Sequence, residues 1–288
     1  MPSFFERLAQ STLRQLIRKG IEKVLSKKNP KESAPSSTPS IEPQAPKTHP
    51  WRLCPVGEHW VVEHDLSIPA SSQGPGYTTL RHGHCRKNPG GKEVYTAQEF
   101  REIAHHYFGR LRNDLEAMPV SDDLGYANVG NIYDLSIAGW TKFWNETLKP
   151  ERPLTPDFVK ALIATETSFL ILPDTPSKSG AARGLIQITE ATRKILQDPK
   201  GELSNHLIEL TVEESRETDP NIAAGIRWLY YKRYLLEHRI KREASWEEAA
   251  AEYKGIFRDI GKDKETDDIM KKLAGLHKRL KDKREGMK

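Results

Sequence analysis

Residues 155–169 read Thr-Pro-Asp-Phe-Val-Lys-Ala-Leu-Ile-Ala-Thr-Glu-Thr-Ser-Phe, and this stretch decides the fold. Thr155 can cap a helix, and Pro156 suits the first helical position because its missing N–H is not needed there. Asp157 then complements the positive end of the helix dipole. The stretch therefore predicts a helix that begins at residue 155 and runs through the following apolar residues.

Glu166 lies on the apolar side of this predicted helix. It follows Val159 by seven residues, Leu162 by four and Ile163 by three, and these spacings return to one face. Shielding from water disfavours the charged form of a carboxyl group, which suits a general acid such as the proton donor of a glycosidase. The alternatives are a glutamate at a groove edge or one paired with a buried arginine.

A small-residue segment follows at 180–187, Gly-Ala-Ala-Arg-Gly-Leu-Ile-Gln. Gly184 can open a tight loop, and Gln187 can both donate and accept hydrogen bonds, which suits an N-acetyl or hydroxyl group of a sugar. The apolar residues after the loop are predicted to begin a helix: Leu185, Ile186 and Ile188.

Two more helices are indicated further along the chain. Asp219 is predicted to cap the first, and Ser245 with Glu248 forms the capping box of the second. Gly255 ends the second helix. Tyr253 is either a plain core residue or one whose hydroxyl contacts a carboxylate.

These segments, in this order, resemble the soluble lytic transglycosylases of the lysozyme superfamily. The family shows Glu-Ser-x-Phe, Gly-Ala-x-Gly-Leu-Met-Gln, Asn-Ile-x-x-Gly and Ala-Tyr-Asn-x-Gly. The chain has Glu-Thr-Ser-Phe at 166–169, Ala-Arg-Gly-Leu-Ile-Gln at 182–187, Asn-Ile-Ala-Ala-Gly at 221–225 and Glu-Tyr-Lys-Gly at 252–255. The resemblance covers about residues 150–257, and it depends on four motifs in register.

The resemblance implies a lysozyme-like fold and cleavage of the bond between N-acetylmuramic acid and N-acetylglucosamine in peptidoglycan. Glu166 would protonate the bridging oxygen and later activate the muramyl C6 hydroxyl, which yields a 1,6-anhydro end without any metal or other cofactor. Tyr253 would hold Glu166, Gln187 would bind the sugar, and two further residues of the motifs, Thr167 and Gly184, would lie in the same cleft.

Three positions depart from the family pattern. Thr167 replaces Ser and keeps the hydroxyl, while Ile186 replaces Met and keeps the bulk. Lys254 replaces Asn and adds a cation beside the expected cleft, where it would contact substrate. The catalytic glutamate itself is present.

Three other functions stay open at this point. A muramidase would use water, with Asp174 or Asp198 as its base. A wall-binding or assembly protein would keep the cleft without catalysis. A metal-binding interaction module would use the helical part as a scaffold.

Residues 51–95 read as a small β/loop module with both cysteines of the chain. Cys54, His84 and Cys85, with one of His59 or His64, have the ligand types of a structural zinc site, although no paired Cys-x-x-Cys is present. A disulfide between the two cysteines, or free thiols, are the alternatives.

The remaining segments define the architecture, which is predicted to be mainly α. Residues 1–28 read as a basic amphipathic helix for a membrane surface or a secretion-apparatus partner, and 29–50 as a flexible linker. Residues 96–270 are predicted to form the lysozyme-like domain, and 271–288 a basic tail.

Both ends of the chain carry an excess of positive charge. There are ten Lys/Arg against four Asp/Glu at 1–52, and ten against six at 261–288, and such ends suit an acidic surface rather than nucleic acid. With neither a Sec signal nor a membrane span in the sequence, we expect action at the cell wall after another delivery route, such as export of an effector or phage lysis.

Overall fold

Helices make up most of the described chain, which confirms the mainly α prediction. The computed structural model describes residues 51–287 except 53, 62, 73, 89, 90, 172 and 204. The predicted amphipathic helix at 1–28 and the linker at 29–50 lie outside the described residues.

The described α-helices are α1 (Ala97–Tyr107), α2 (Asp134–Leu148), α3 (Pro156–Thr167), α4 (Glu190–Gln197), α5 (Thr218–Ile240), α6 (Trp246–Tyr253) and α7 (Lys264–Glu285). The described strands are β1 (Glu58–Val61), β2 (His64–Ile68), β3 (Tyr77–Arg81), β4 (His84–Lys87), β5 (Val94–Thr96), β6 (Ala182–Arg183), β7 (Ile188–Thr189) and β8 (Leu207–Glu209). All four sheets are two-stranded: β1–β4, β2–β3 and β6–β7 are antiparallel, and β5–β8 is parallel.

Helix α3 begins as the sequence predicts. The Thr155 hydroxyl accepts a hydrogen bond from the Phe158 N–H at 3.3 Å, with Pro156 in the first turn. After Thr167 the backbone enters the left-handed region at Ser168 and Phe169, with φ of 54° and 63°. This reversal ends the helix one residue after Glu166 and turns the Phe169 ring into the core.

Aromatic side chains of α2 fill the centre of the core against α5. Trp140, Phe143 and Trp144 are fully buried. The Trp144 indole donates to the Ala223 carbonyl at 2.8 Å, and the Trp140 indole donates to Asp219 at 2.9 Å. Helix α5 begins at residue 218, so the prediction that Asp219 caps it is wrong: its carboxylate is used by Trp140 instead.

Residues 51–95 do not form a separate module. Strand β1 pairs with β4 and β2 pairs with β3, so that the four strands form one long hairpin. Trp51 and Cys54, at the base of this hairpin, are buried in the common core. Arg52 forms buried ion pairs with Glu93 and, at 3.0 Å, with Glu99 of α1. The predicted boundary at residues 95/96 therefore falls inside β5, which pairs with β8.

The two cysteines are joined to each other in a disulfide, Cys54 to Cys85. A sulfur in a disulfide is not a thiolate ligand, so the predicted zinc set of Cys54, His84 and Cys85 is not assembled. His59 contacts Asn88 and His84 contacts the His82 carbonyl instead. Among the described residues, no group of three or more His, Cys, Asp or Glu side chains is placed to hold a metal ion.

The predicted basic tail at 271–288 is wrong, because most of it belongs to α7. Leu273 and Leu280 are buried, since α7 packs against α3. Arg284 reaches the Asp157 carboxylate at 2.5 Å and donates to the Met118 carbonyl at 2.7 Å. The positive charges that suggested a free tail thus partly serve to fix this helix to the start of α3.

Within the part of the chain that the structure describes, no helix combines the length and apolar character needed to cross a membrane.

Candidate active site

Glu166 lies in the last turn of α3 with a side chain that is 14% exposed. Its carboxylate accepts a hydrogen bond from the Lys254 ammonium at 2.5 Å, and the Lys254 side chain is 11% exposed. Lys254 follows directly after α6, so the end of one helix meets the end of another at this ion pair.

This ion pair revises the electrostatic picture drawn from the sequence. The prediction of a shielded carboxyl is supported by the low exposure, but the group has a cation partner rather than an apolar neighbour. The alternative of a buried cation partner is therefore realised, by Lys254 rather than by an arginine.

The small-residue segment forms a β-turn, not the start of a helix. Strands β6 and β7 pair antiparallel around residues 184–187, and the Gln187 N–H donates to the Gly184 carbonyl at 3.3 Å. Gln187 has a φ of 56°, and its side-chain amide also donates to the Gly184 carbonyl, at 2.8 Å. The Gln187 amide oxygen has no recorded hydrogen bond within the described residues, and it can accept one from a ligand.

Asn221 of α5 fixes this turn from below. Its side chain is fully buried and accepts from the Ile186 N–H at 3.0 Å. The same amide donates to the carbonyls of Arg183 at 3.0 Å and Ser215 at 2.7 Å. One buried side chain thus makes hydrogen bonds to three backbone groups of the turn and of the segment before α5.

Two glycines allow this close packing. Gly184 has a φ of 69°, and a Cβ there would lie 2.3 Å from the Asn221 side chain. A Cβ on Gly225, one turn further along α5, would lie 2.1 Å from Ile186 Cγ2. Because both contacts are far shorter than real Cβ contacts, neither position tolerates a larger residue without movement of the turn.

Thr167 and Tyr253 attach the turn to α3 and α6. The Thr167 hydroxyl donates to the Leu185 carbonyl at 2.9 Å, and the Tyr253 hydroxyl donates to the Ile186 carbonyl at 2.5 Å. The expectation that Tyr253 holds Glu166 directly is therefore wrong. Burial first, and the charge of Glu166 second, raise the pKa of Tyr253 well above its ordinary value, so the phenol stays a donor.

The two acids considered as the base of a muramidase have other partners. Asp174 accepts from Arg183 at 2.9 Å and from Arg216 at 2.8 Å, and Arg216 holds the pKa of Asp174 below its usual range. Asp198 is exposed and accepts from the Lys200 N–H at 2.8 Å.

All predicted site residues outside the cysteine/histidine segment thus meet around one turn: Glu166, Thr167, Gly184, Gln187, Tyr253 and Lys254. The sequence does not predict the structural role of Asn221, although a polar residue among small and apolar ones near the start of a helix is a signal that buried partners are needed. The pairing of Lys254 with Glu166 has no sequence signal, because only the meeting of two distant helix ends creates it.

Neither a scan of protein-family models nor a search of curated proteins finds a match to this chain. The resemblance of the four motifs and the contacts among them therefore remain the basis for assigning a function.

Proposed function

We propose that the protein is a peptidoglycan lytic transglycosylase with a lysozyme-like catalytic domain and Glu166 as its acid/base residue. The observation that carries the proposal is the convergence of the four motifs. Residues from each motif contact the turn at 184–187 or Glu166 directly, through Thr167, Asn221, Tyr253 and Lys254. Four segments that are separated in sequence thus lie together beside a shielded carboxylate.

In the proposed reaction, the Glu166 carboxyl donates its proton to the oxygen between the muramyl and glucosaminyl rings, and the bond from that oxygen to the muramyl C1 breaks. The acetamido group of the same sugar stabilises C1. The Glu166 carboxylate then takes the proton from the C6 hydroxyl while the C6 oxygen bonds to C1. One proton leaves and one returns, so no second protein carboxylate is required.

Lys254 has a defined task in this scheme. Its ammonium orients the Glu166 carboxylate before substrate binds. For the first step the carboxyl must carry a proton, so Lys254 must move away from it or be drawn to a negative group of the substrate. Gln187 supplies an amide oxygen, to which no described residue donates, for an N–H or hydroxyl of the sugar.

The test is the release of soluble fragments from dye-labelled sacculi. We expect Glu166→Gln to abolish release with an unchanged circular-dichroism spectrum, because the amide is isosteric but cannot transfer the proton. Glu265→Gln, at an exposed position of α7, is the matched control and should retain full activity. Equal release by the wild type and Glu166→Gln would refute the assignment and favour a binding protein.

We place this action at the cell wall, with peptidoglycan strands as partner, and infer that the chain works as a delivered effector or lysis enzyme. Directing the chain to the periplasm should lyse cells, cytoplasmic expression should not, and Glu166→Gln should be harmless in both places. Lysis from the cytoplasm at an equal rate would contradict this setting.

A further inference from the structure

A cavity of about 660 Å³ lies beside α5, away from Glu166 and the turn at 184–187. Helix α5 supplies half of its lining residues, and the segments at 148–151, 202–203 and 242–243 supply the rest. Its volume is within the range of pockets that hold small ligands. The proposed cleavage reaction makes no use of it.

Arg227 lines this cavity in an unusual state. The residue is only 8% exposed, yet within the described part of the chain no carboxylate pairs with its guanidinium. It donates to the carbonyls of Asn205 at 3.1 Å and His206 at 3.3 Å, and it lies 5.9 Å from the centre of the Trp144 ring. Neutral carbonyls and a ring compensate a buried charge less well than an anion does.

Another arginine of the same cavity shows the contrast. Arg233 is equally buried, but its guanidinium forms ion pairs with Glu237 at 3.1 Å and Glu243 at 2.7 Å. Burial lowers the pKa of Arg227 to about 10, but the residue still carries a full positive charge at neutral pH. Arg227 is thus a buried cation without an anion, at the wall of a cavity.

The same wall offers acids and aromatic faces. Glu151 and Glu202 line the cavity, and among the described residues neither forms an ion pair with Lys or Arg. Glu202 accepts a hydrogen bond from the Tyr231 hydroxyl at 2.8 Å. The Tyr231 ring lies nearly parallel to that of Tyr234, at 6.3 Å, and Tyr234 is 53% exposed.

We propose that this cavity binds a short free peptide, with its carboxylate on Arg227, its ammonium near Glu151 and Glu202, and its side chains against Tyr231 and Tyr234. A carboxylate would give Arg227 the anion it lacks through charge-assisted hydrogen bonds. The presence of both a cation and unpaired acids favours a zwitterion over a simple anion. The inference does not depend on cleavage by Glu166, although the peptide side chains of peptidoglycan would supply this chemistry under the proposed function.

Isothermal titration calorimetry with trialanine tests the proposal on the full chain. We expect saturable binding of the free peptide, a loss of about tenfold or more in affinity for its C-terminal amide, and a smaller loss for its N-acetyl form. The same affinities should be found with Glu166→Gln, which separates this site from the cleavage site. Equal affinities for acid and amide, or no heat at millimolar peptide, would overturn the proposal.

Variants of the protein locate the site. Arg227→Gln should abolish the difference between acid and amide, and Tyr234→Ala, at an exposed side chain outside the core, should weaken both peptides several-fold. Arg112→Gln removes an exposed charge outside the cavity and should change nothing. If Arg227→Gln does not fold, the affinities of the free, amidated and N-acetylated peptides and of Tyr234→Ala still test the proposal. Unchanged binding by Tyr234→Ala would contradict binding in this cavity.

Discussion

Replacement of Asn221 is the sharpest perturbation of the turn that carries the proposed site. The side chain is fully buried and makes hydrogen bonds to three backbone groups, at Ile186, Arg183 and Ser215. In Asn221→Ala those groups lose these three hydrogen bonds. An unsatisfied buried group costs about 1–3 kcal/mol, and water entering the space left by the amide recovers part of this.

We therefore expect Asn221→Ala to lower the free energy of unfolding by about 3–5 kcal/mol, which a domain of ordinary stability survives. Asn221→Asp keeps the acceptor for the Ile186 N–H but turns a carboxylate toward two carbonyls, so its free energy of unfolding should be no higher than that of Asn221→Ala. Both variants should reduce sacculus digestion more than their loss of stability explains. When the turn moves, the Ile186 carbonyl moves with it, and this carbonyl accepts the hydrogen bond from the Tyr253 hydroxyl.

Urea unfolding at fixed pH measures the stability, and dye release from labelled sacculi, well below the melting temperature, measures the activity. Asn113→Ala, at an exposed asparagine, is the control and should stay within about 0.5 kcal/mol of the wild type. A loss under about 1 kcal/mol in Asn221→Ala, together with full activity, would show that the turn does not depend on this amide.

Three further predictions concern charge and cross-linking. Lys254→Met should lower kcat/KM for sacculus digestion several-fold, because the Glu166 carboxylate loses the ammonium that orients it, while Lys254→Arg should keep most of the activity; equal kcat/KM for Lys254→Met and the wild type would refute this. Burial raises the pKa of Glu99 from 4.5 to about 7 despite Arg52, so the folded state holds a proton that the unfolded chain has lost between these values. The free energy of unfolding should therefore fall by roughly 3 kcal/mol as pH rises through that window, and Glu99→Gln should flatten the slope in urea titrations at several pH values. Cys54→Ser opens a loop with a sequence separation of 31 and should cost about 3–4 kcal/mol by chain entropy, so a melting temperature equal to that of the oxidised protein would contradict the role of the disulfide.

The local signals of the sequence predicted local structure well. The Thr155 cap and the box of Ser245 and Glu248 form as expected, because both partners lie within three residues of each other. The helical spacing also placed Glu166 correctly on the shielded side of α3. These features depend on nearest neighbours along one helix, and a single sequence contains that information.

Contacts between distant segments were not predictable in the same way. Nothing in the pattern around Lys254 shows that its ammonium reaches Glu166, which is 88 residues away. The sequence predicts a helix start at the turn 184–187 because its apolar residues fit either structure, and β6 and β7 are too short to show alternation. The basic residues near the C-terminus likewise do not predict that one face of α7 is buried at Leu273 and Leu280.

Mass spectrometry of the fragments released from purified sacculi tests the central claim most directly. The account predicts that the wild type produces muramyl ends one water lighter than hydrolysed ends, and that Glu166→Gln produces none. Fragments of the hydrolysed mass, or equal release by Glu166→Gln, would contradict it.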